Sequence, residues 1–264
     1  MSFRLPRLVF SLLVLAAASR MLDAADLERR TWVVDGVTRE ALVHFPAGAE
    51  KGDRPVVFAF HGHGGSMTQA SRSFHFHQTW PEAIVVYPQG QPTPGALTDP
   101  KGTEAGWQNT AGGQSDRDLK FFDAMLADLR GKYRVDDKRI YATGHSNGGG
   151  FTYLLWAERG DVFAALAPSA AVLAHGYEKF KPKPVLHFAS PEDPLVKFSW
   201  QARMIDRLLK LDGGGTRKPD TPGYVSYPSS MGMEVATYLH SGGHKYPDAA
   251  PDLIVKFFKA HPSK

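Results

Sequence analysis

The chain has 264 residues, 42% of them apolar, and a formal charge of +4; this suffices for one large core and excludes disordered, collagen-like and coiled-coil classes. Part of the positive charge (Arg4, Arg7, Arg20) sits in the N-terminal segment, so no basic stripe for nucleic acid remains in the rest. There is no cysteine, which excludes disulfides, thiolate metal sites and a lipid-anchoring thiol near the N-terminus.

In chain order, residues 1–24 read as an export signal. Arg4 and Arg7 flank an apolar stretch from Leu8 to Ala18 that is too short to span a bilayer comfortably, and Ala24 and Ala25 offer a cleavage point. A retained anchor or a buried first helix is the alternative, since Arg20 and Asp23 follow the apolar run closely. The expectation is therefore a secreted or periplasmic protein with no membrane anchor after cleavage, residues 25–264 forming a single domain that relies on its core for stability.

Residues 31–35 and 40–45 predict a leading hairpin, and the short apolar runs at 55–60 and 83–87 predict strands buried on both faces. Residues 89–115, rich in Gly, Pro and Thr, predict a long loop over the active-site face. Leu119, Phe122, Met125, Leu126 and Leu129 recur at helical spacing, with Ser115 or Asp116 available as a cap. Further strands are predicted at 139–143, 162–167, 184–189 and 235–239, and further helices at 200–211 and 251–260. Strands alternating with helices predict an α/β fold, a mostly parallel sheet covered on both faces.

The strand at 139–143 runs into Gly144-His145-Ser146-Asn147-Gly148, a Gly-x-Ser-x-Gly frame followed by a helical pattern from Phe151 to Glu158. Such a strand-to-helix turn forces the serine into a strained conformation and needs glycines where side chains would collide. It holds the hydroxyl above the sheet edge and leaves the amide of Asn147 free to stabilise an oxyanion. Serine needs a base. His244 follows the last predicted strand and lies on the loop at its C-terminal edge, whereas the rival His240 sits at or inside the strand end. For the acid, Asp193 is preferred to Glu192: both follow a strand between serine and histidine, in the chain order Ser, Asp, His of an α/β-hydrolase, although Asp-Pro is also an ordinary turn pair. The glycine-rich turn His61-Gly62-His63-Gly64-Gly65-Ser66 offers the second oxyanion donor, assigned to the amide of His63 with Gly64 as the fallback. His61, His63, His75 and His77 form two His-x-His pairs, but without an interleaved carboxylate at ligand spacing no metal site is expected.

Taken together, these pieces resemble the esterases related to poly(3-hydroxybutyrate) depolymerases and feruloyl or acetylxylan esterases. The likeness is carried by His61-Gly62-His63-Gly64-Gly65-Ser66, Val86-Tyr87-Pro88-Gln89-Gly90, Gly106-Trp107-Gln108-Asn109, the stretch from Asp116 to Leu129, the elbow from Tyr141 to Gly149, and Gly242-Gly243-His244 with Pro247. Two departures stand out: Pro191-Glu192 where the group often has Gly before the acid, and Tyr246 where it often has Trp. The resemblance implies an α/β-hydrolase fold, a Ser146–His244–Asp193 triad, and no metal or organic cofactor.

The expected reaction is ester hydrolysis through an acyl-enzyme, with the amides of Asn147 and His63 holding the oxyanion and Trp107 either lining a substrate pocket or anchoring the long loop. The short segment between the strands ending at 167 and beginning at 184 predicts no large lid. The chain runs out directly after its last predicted helix, which favours soluble feruloyl or acetyl esters of polysaccharide fragments, or hydroxyalkanoate oligomers, over crystalline polyester. A serine peptidase of related fold and a catalytically silent binding protein are the two alternatives.

Overall fold

The computed structural model describes residues 27–229, 231 and 233–263; the export segment expected at 1–24 lies outside them. The chain opens with a hairpin of β1 (Glu28–Val34) and β2 (Val37–His44). Its two-residue turn is Asp35-Gly36, and both residues have positive φ, 50° and 79°, the combination that an Asp-Gly turn supplies with least strain. There follow β3 (Arg54–Phe60), α1 (Met67–Phe74), α2 (Phe76–Thr79), β4 (Ile84–Pro88) and a small ribbon of β5 (Gln91–Pro92) with β6 (Ala105–Gly106). Next come α3 (Arg117–Lys132), β7 (Val135–His145), α4 (Asn147–Arg159), β8 (Ala165–Ser169), β9 (Val185–Ala189), α5 (Phe198–Leu211), β10 (Lys218–Pro219), β11 (Tyr224–Pro228), β12 (Glu234–Leu239) and α6 (Ala250–Ala260).

Among the described residues the main sheet has ten strands, in the order β1-β2-β4-β3-β7-β8-β9-β12-β11-β10. Its centre, from β4 to β12, is parallel, and the pairs outside it are antiparallel. Alternate residues of the central strands feed two separate cores, as the two-residue period of a strand requires. Val56, Phe58 and Phe60 pack with residues of α3, α4 and α5; Val57 and Ala59 pack with residues of α1, α2 and α6. Burial on both faces is why these strands read as unbroken apolar runs. Because the central strands are parallel, the segments leaving β3, β7, β8, β9 and β12 all emerge at one edge of the sheet, which is where an open α/β sheet presents its site.

Several local expectations are corrected. The strand predicted at 162–167 begins later, at Ala165, because residues Gly160–Val162 form a 3-10 turn. Neither Ser115 nor Asp116 caps α3. Asp116 makes no cap bond and instead accepts from the Gly112 amide at 2.7 Å and the Gln108 carboxamide at 2.8 Å. The cap is Gln108, whose Oε1 accepts from the amides of Asp118 at 3.1 Å and Leu119 at 3.3 Å. A loop that folds back onto a helix start satisfies its orphan amides as well as a local side chain does. Among the described residues between β8 and β9 the only helical piece is a 3-10 turn, Tyr177–Lys179, so no helical lid inserts there.

Candidate active site

The elbow lies between β7 and α4, and Ser146 has φ 56° and ψ −120°. A non-glycine residue in that region is strained by roughly 1–3 kcal/mol and persists only where its surroundings over-determine it. Here the Ser146 amide donates to the Ser169 carbonyl at 2.9 Å, and the Ser146 carbonyl accepts from Gly150 at 2.9 Å. A Cβ on Gly144 would collide with the Gly148 carbonyl, and one on Gly148 with the Phe60 carbonyl. The two glycines are therefore required by the close approach of β3, β7 and α4.

Three side chains from three loops form one hydrogen-bonded line. His244 Nδ1 lies 3.0 and 2.9 Å from the two Asp193 carboxylate oxygens, and its Nε2 lies 2.8 Å from Ser146 Oγ. An ionised carboxylate only accepts, so Nδ1 carries the proton, and Nε2 of the neutral ring is left to accept from the serine hydroxyl. The Asp193 side chain is fully buried and that of His244 is 22% exposed. Asp193 also accepts from the amides of Leu195 and Val196, both at 2.9 Å, and from the Gln201 carboxamide at 3.2 Å. Those donors compensate the burial of its charge. The rival His240 follows β12 directly. Its amide donates to the Ala189 carbonyl and its Nδ1 accepts from the Gly242 amide at 3.1 Å, so it shapes the turn that leads to His244.

Four residues to which the sequence assigned no role hold this line in place. His145 Nε2 donates to the His244 carbonyl at 3.0 Å while its Nδ1 faces Ser169 Oγ at 3.1 Å, which ties the base loop to the elbow. Burial lowers its pKa to about 4, so the ring is neutral in near-neutral solution. Behind Asp193, Tyr153 Oη donates to His187 Nδ1 at 2.6 Å, and His187 Nε2 donates to Gln201 Oε1 at 3.3 Å. The Gln201 carboxamide then donates to Asp193, giving a buried relay of neutral groups that ends on the carboxylate. Burial also lowers the His187 pKa to about 4. No local sequence signal marks these residues, because each partner comes from a different strand or helix. Replacing Gln201 with Leu leaves His187 Nε2 without a partner and Asp193 Oδ2 with His244 Nδ1 alone. It is expected to lower kcat roughly tenfold with little change in KM, since the substrate surfaces are untouched; steady-state kinetics on one ester checks this.

The loop after β3 adjoins the elbow. A Cβ on Gly62 would lie 3.6 Å from Ser146 Cβ, and the loop is braced by the bond from the Gly64 amide to the Ala105 carbonyl at 2.7 Å. Asn147 opens α4, so its amide has no intrahelical acceptor. Three histidines of the two His-x-His pairs have hydrogen-bond partners in the protein. His61 Nδ1 donates to the Gly62 carbonyl at 2.7 Å and Nε2 accepts from the Gly90 amide at 2.9 Å, while burial lowers its pKa to about 4. His77 bonds to the Tyr87 hydroxyl at 2.9 Å and His63 Nε2 to Asp99 at 3.3 Å.

Trp107 requires a correction as a substrate-binding candidate. Its side chain is fully buried, it stacks on Phe151 at 5.4 Å, and its indole N–H donates to the His61 carbonyl at 2.9 Å. The Asn147 side chain clamps the Trp107 backbone, accepting from its amide at 2.7 Å and donating to its carbonyl at 3.0 Å. Trp107 is thus the bolt that holds the long loop to the elbow, for the reason that a large indole with one donor is best satisfied between a core and a single carbonyl.

Two cavities meet at Ser146. The first, about 600 Å³, is walled by Leu97, Ala171, Leu173, Val196 and Trp200 beside Ser146 and Asn147. The second, about 780 Å³, is more polar, lined by Arg72, His75, Lys245, Asp248 and His244. The 89–115 loop contributes Leu97 and Thr98 to the first and Thr98 to the second, so it does lie over the active-site face.

The chain is 29% identical over 235 residues to a putative esterase, NocK, of Nocardia uniformis subsp. tsuyamanensis, covering 84% of this chain and 61% of that protein. It is 26% identical over 221 residues to a probable feruloyl esterase C of Aspergillus flavus, covering 78% of this chain and 77% of that one. Among solved structures, one described as a ferulic acid esterase superposes with a TM-score of 0.65 at 16% identity, covering 89% of this chain and 97% of that one. No protein-family model matches the chain. The resemblance drawn from the motifs thus extends along most of the chain, and the fold is that of the α/β-hydrolases. The chain spans less than two thirds of the length of NocK.

Proposed function

We propose that this protein is a serine-dependent carboxylic-ester hydrolase working through an acyl-enzyme. The observation that carries the reading is the bonded line from Ser146 Oγ through His244 to the buried carboxylate of Asp193, set at the end of β7. Ser146 Oγ attacks the ester carbonyl as His244 Nε2 takes its proton; the carbonyl oxygen, now negative, accepts from the amides of Asn147 and His63. Collapse of the tetrahedral intermediate breaks the bond to the alcohol oxygen, which leaves with the proton from His244. Water then repeats the sequence on the acyl-enzyme, releasing the acid and restoring the serine. Asp193 keeps the imidazole in the tautomer that can accept and stabilises the imidazolium that forms.

The same chemistry assigns the cavities. A general acid must stand beside the leaving oxygen, and His244 lines the polar cavity but not the apolar one. The alcohol therefore occupies the polar cavity and the acyl group the apolar one. A polar alcohol such as a sugar, esterified by an aryl or short alkyl acid, fits both surfaces, in keeping with the similarity to proteins named feruloyl esterase. A panel of short-chain acyl esters, methyl ferulate, hydroxybutyrate oligomers and an aminoacyl anilide tests this. Hydrolysis of the acyl esters and methyl ferulate is expected, with no release from the anilide. Cleavage of the anilide alone would move the reading to a peptidase, and hydrolysis of nothing in the panel would sink it.

A further inference from the structure

The apolar cavity has one wall that its apolar character does not explain. Arg203 and Arg207, one turn apart on α5, both line it, and its lining includes no aspartate or glutamate. Both arginines are exposed. Among the described residues neither forms a salt bridge, although Asp206 stands between them in sequence, whereas Arg134 and Arg159 elsewhere pair with carboxylates at 2.8 and 2.7 Å. Like charges at this helical spacing repel each other, so the pair is mildly unfavourable until an anion joins it. Arg207 is also held in place. Its guanidinium lies over the Tyr177 ring at 4.0 Å from the centroid, a stacking that leaves the in-plane N–H donors free for a carboxylate. Trp200, one turn before Arg203, adds an aromatic surface to the same wall.

Resting on the ester-hydrolase reading and its placement of the acyl group, we propose that Arg203 and Arg207 recognise a second, anionic group on the acyl part of the substrate, so that the preferred substrates are hemi-esters of dicarboxylic acids. The apolar walls take the carbon body of the acid. The two guanidinium groups take the free carboxylate.

The test compares mono-p-nitrophenyl adipate and suberate with p-nitrophenyl hexanoate and octanoate, each pair matched in chain length and leaving group. At low salt the anionic member of at least one pair is expected to have roughly tenfold higher kcat/KM, in line with two partly exposed charged contacts. Raising the ionic strength to about 0.5 M, where charges are screened within a few ångströms, is expected to remove most of that preference. In the double variant R203Q/R207Q the anionic-to-neutral ratio is expected to fall to about one or below. That ratio is read within a single enzyme preparation, so a loss of folded enzyme cancels from it. A ratio near one in the unsubstituted enzyme, or one indifferent to salt and to the double substitution, overturns the inference while leaving the ester-hydrolase reading intact. Cleavage of neither ester of either pair overturns both.

Discussion

Ser146→Ala is expected to lower kcat for any ester the protein hydrolyses by on the order of 10⁶, with the folded structure retained. The size follows from how a triad works: without the nucleophile, the base and the acid have nothing to activate, and the residual rate comes from the oxyanion amides and binding alone. Removing one hydroxyl from the elbow leaves the features that shape it, the Ser146 amide bond to Ser169 and the glycines at 144 and 148, unchanged. Relief of backbone strain is not expected, because alanine is as poorly suited as serine to φ 56°. A serine-directed phosphonate is expected to label Ser146 alone in the unsubstituted protein and nothing in the variant, as read by peptide mass mapping. Labelling of a different serine would falsify the assignment, and so would an active, folded sample that takes up no label.

The second large effect separates two histidines four residues apart. His244→Ala is expected to abolish ester hydrolysis with little loss of stability, because its ring is bonded only to Ser146 and Asp193 and is partly exposed. His240→Ala removes a ring that accepts from the Gly242 amide and stacks near Tyr238 at 6.3 Å. Its effect is expected mainly on thermal stability, with turnover per folded molecule close to normal. Asp193→Asn belongs to the same test. The amide can offer the imidazole an N–H where the carboxylate offered only acceptors, which favours the wrong tautomer and is expected to slow turnover by up to roughly 10⁴-fold. Melting curves and active-site titration on the three variants decide it. An inactive but fully folded His240→Ala beside a normally active His244→Ala means that the base has been assigned to the wrong residue.

The uneven legibility of the site follows from how far each interaction reaches along the chain. The elbow was visible because its demands are local: an apolar strand, glycines that must be bare, and a serine between them all lie within a few residues. The strands at 55–60 and 184–189 were visible because burial on both faces writes itself as a continuous apolar run. The first helix could have been found and was not. Ser66 accepts from the Gln69 amide as its N-cap, at 3.2 Å, and Met67, Ala70, Ser71 and Phe74 form its buried face. β11 was missed because its five residues follow Pro222-Gly223, end on Pro228 and pair only with neighbours late in the chain.

By itself the sequence determined the α/β class, the alternating strands and helices, and the candidate serine, acid and base, each at the end of a predicted strand. Those features depend on periodicity and turn chemistry, which act over a few residues. Only the tertiary structure decided that Trp107 is a buried bolt and not a pocket wall, that Gln108 and not Asp116 caps α3, and that Tyr153, His187 and Gln201 stand behind Asp193. It also decided that Arg203 and Arg207, which form no salt bridge among the described residues, line the apolar cavity. Each of these depends on which separate elements the fold brings into contact, from the loop that folds back on the start of α3 to the meeting of α4, β9 and α5 behind Asp193. Such partners are chosen by how the layers pack around the sheet, and a local sequence pattern carries no record of that choice.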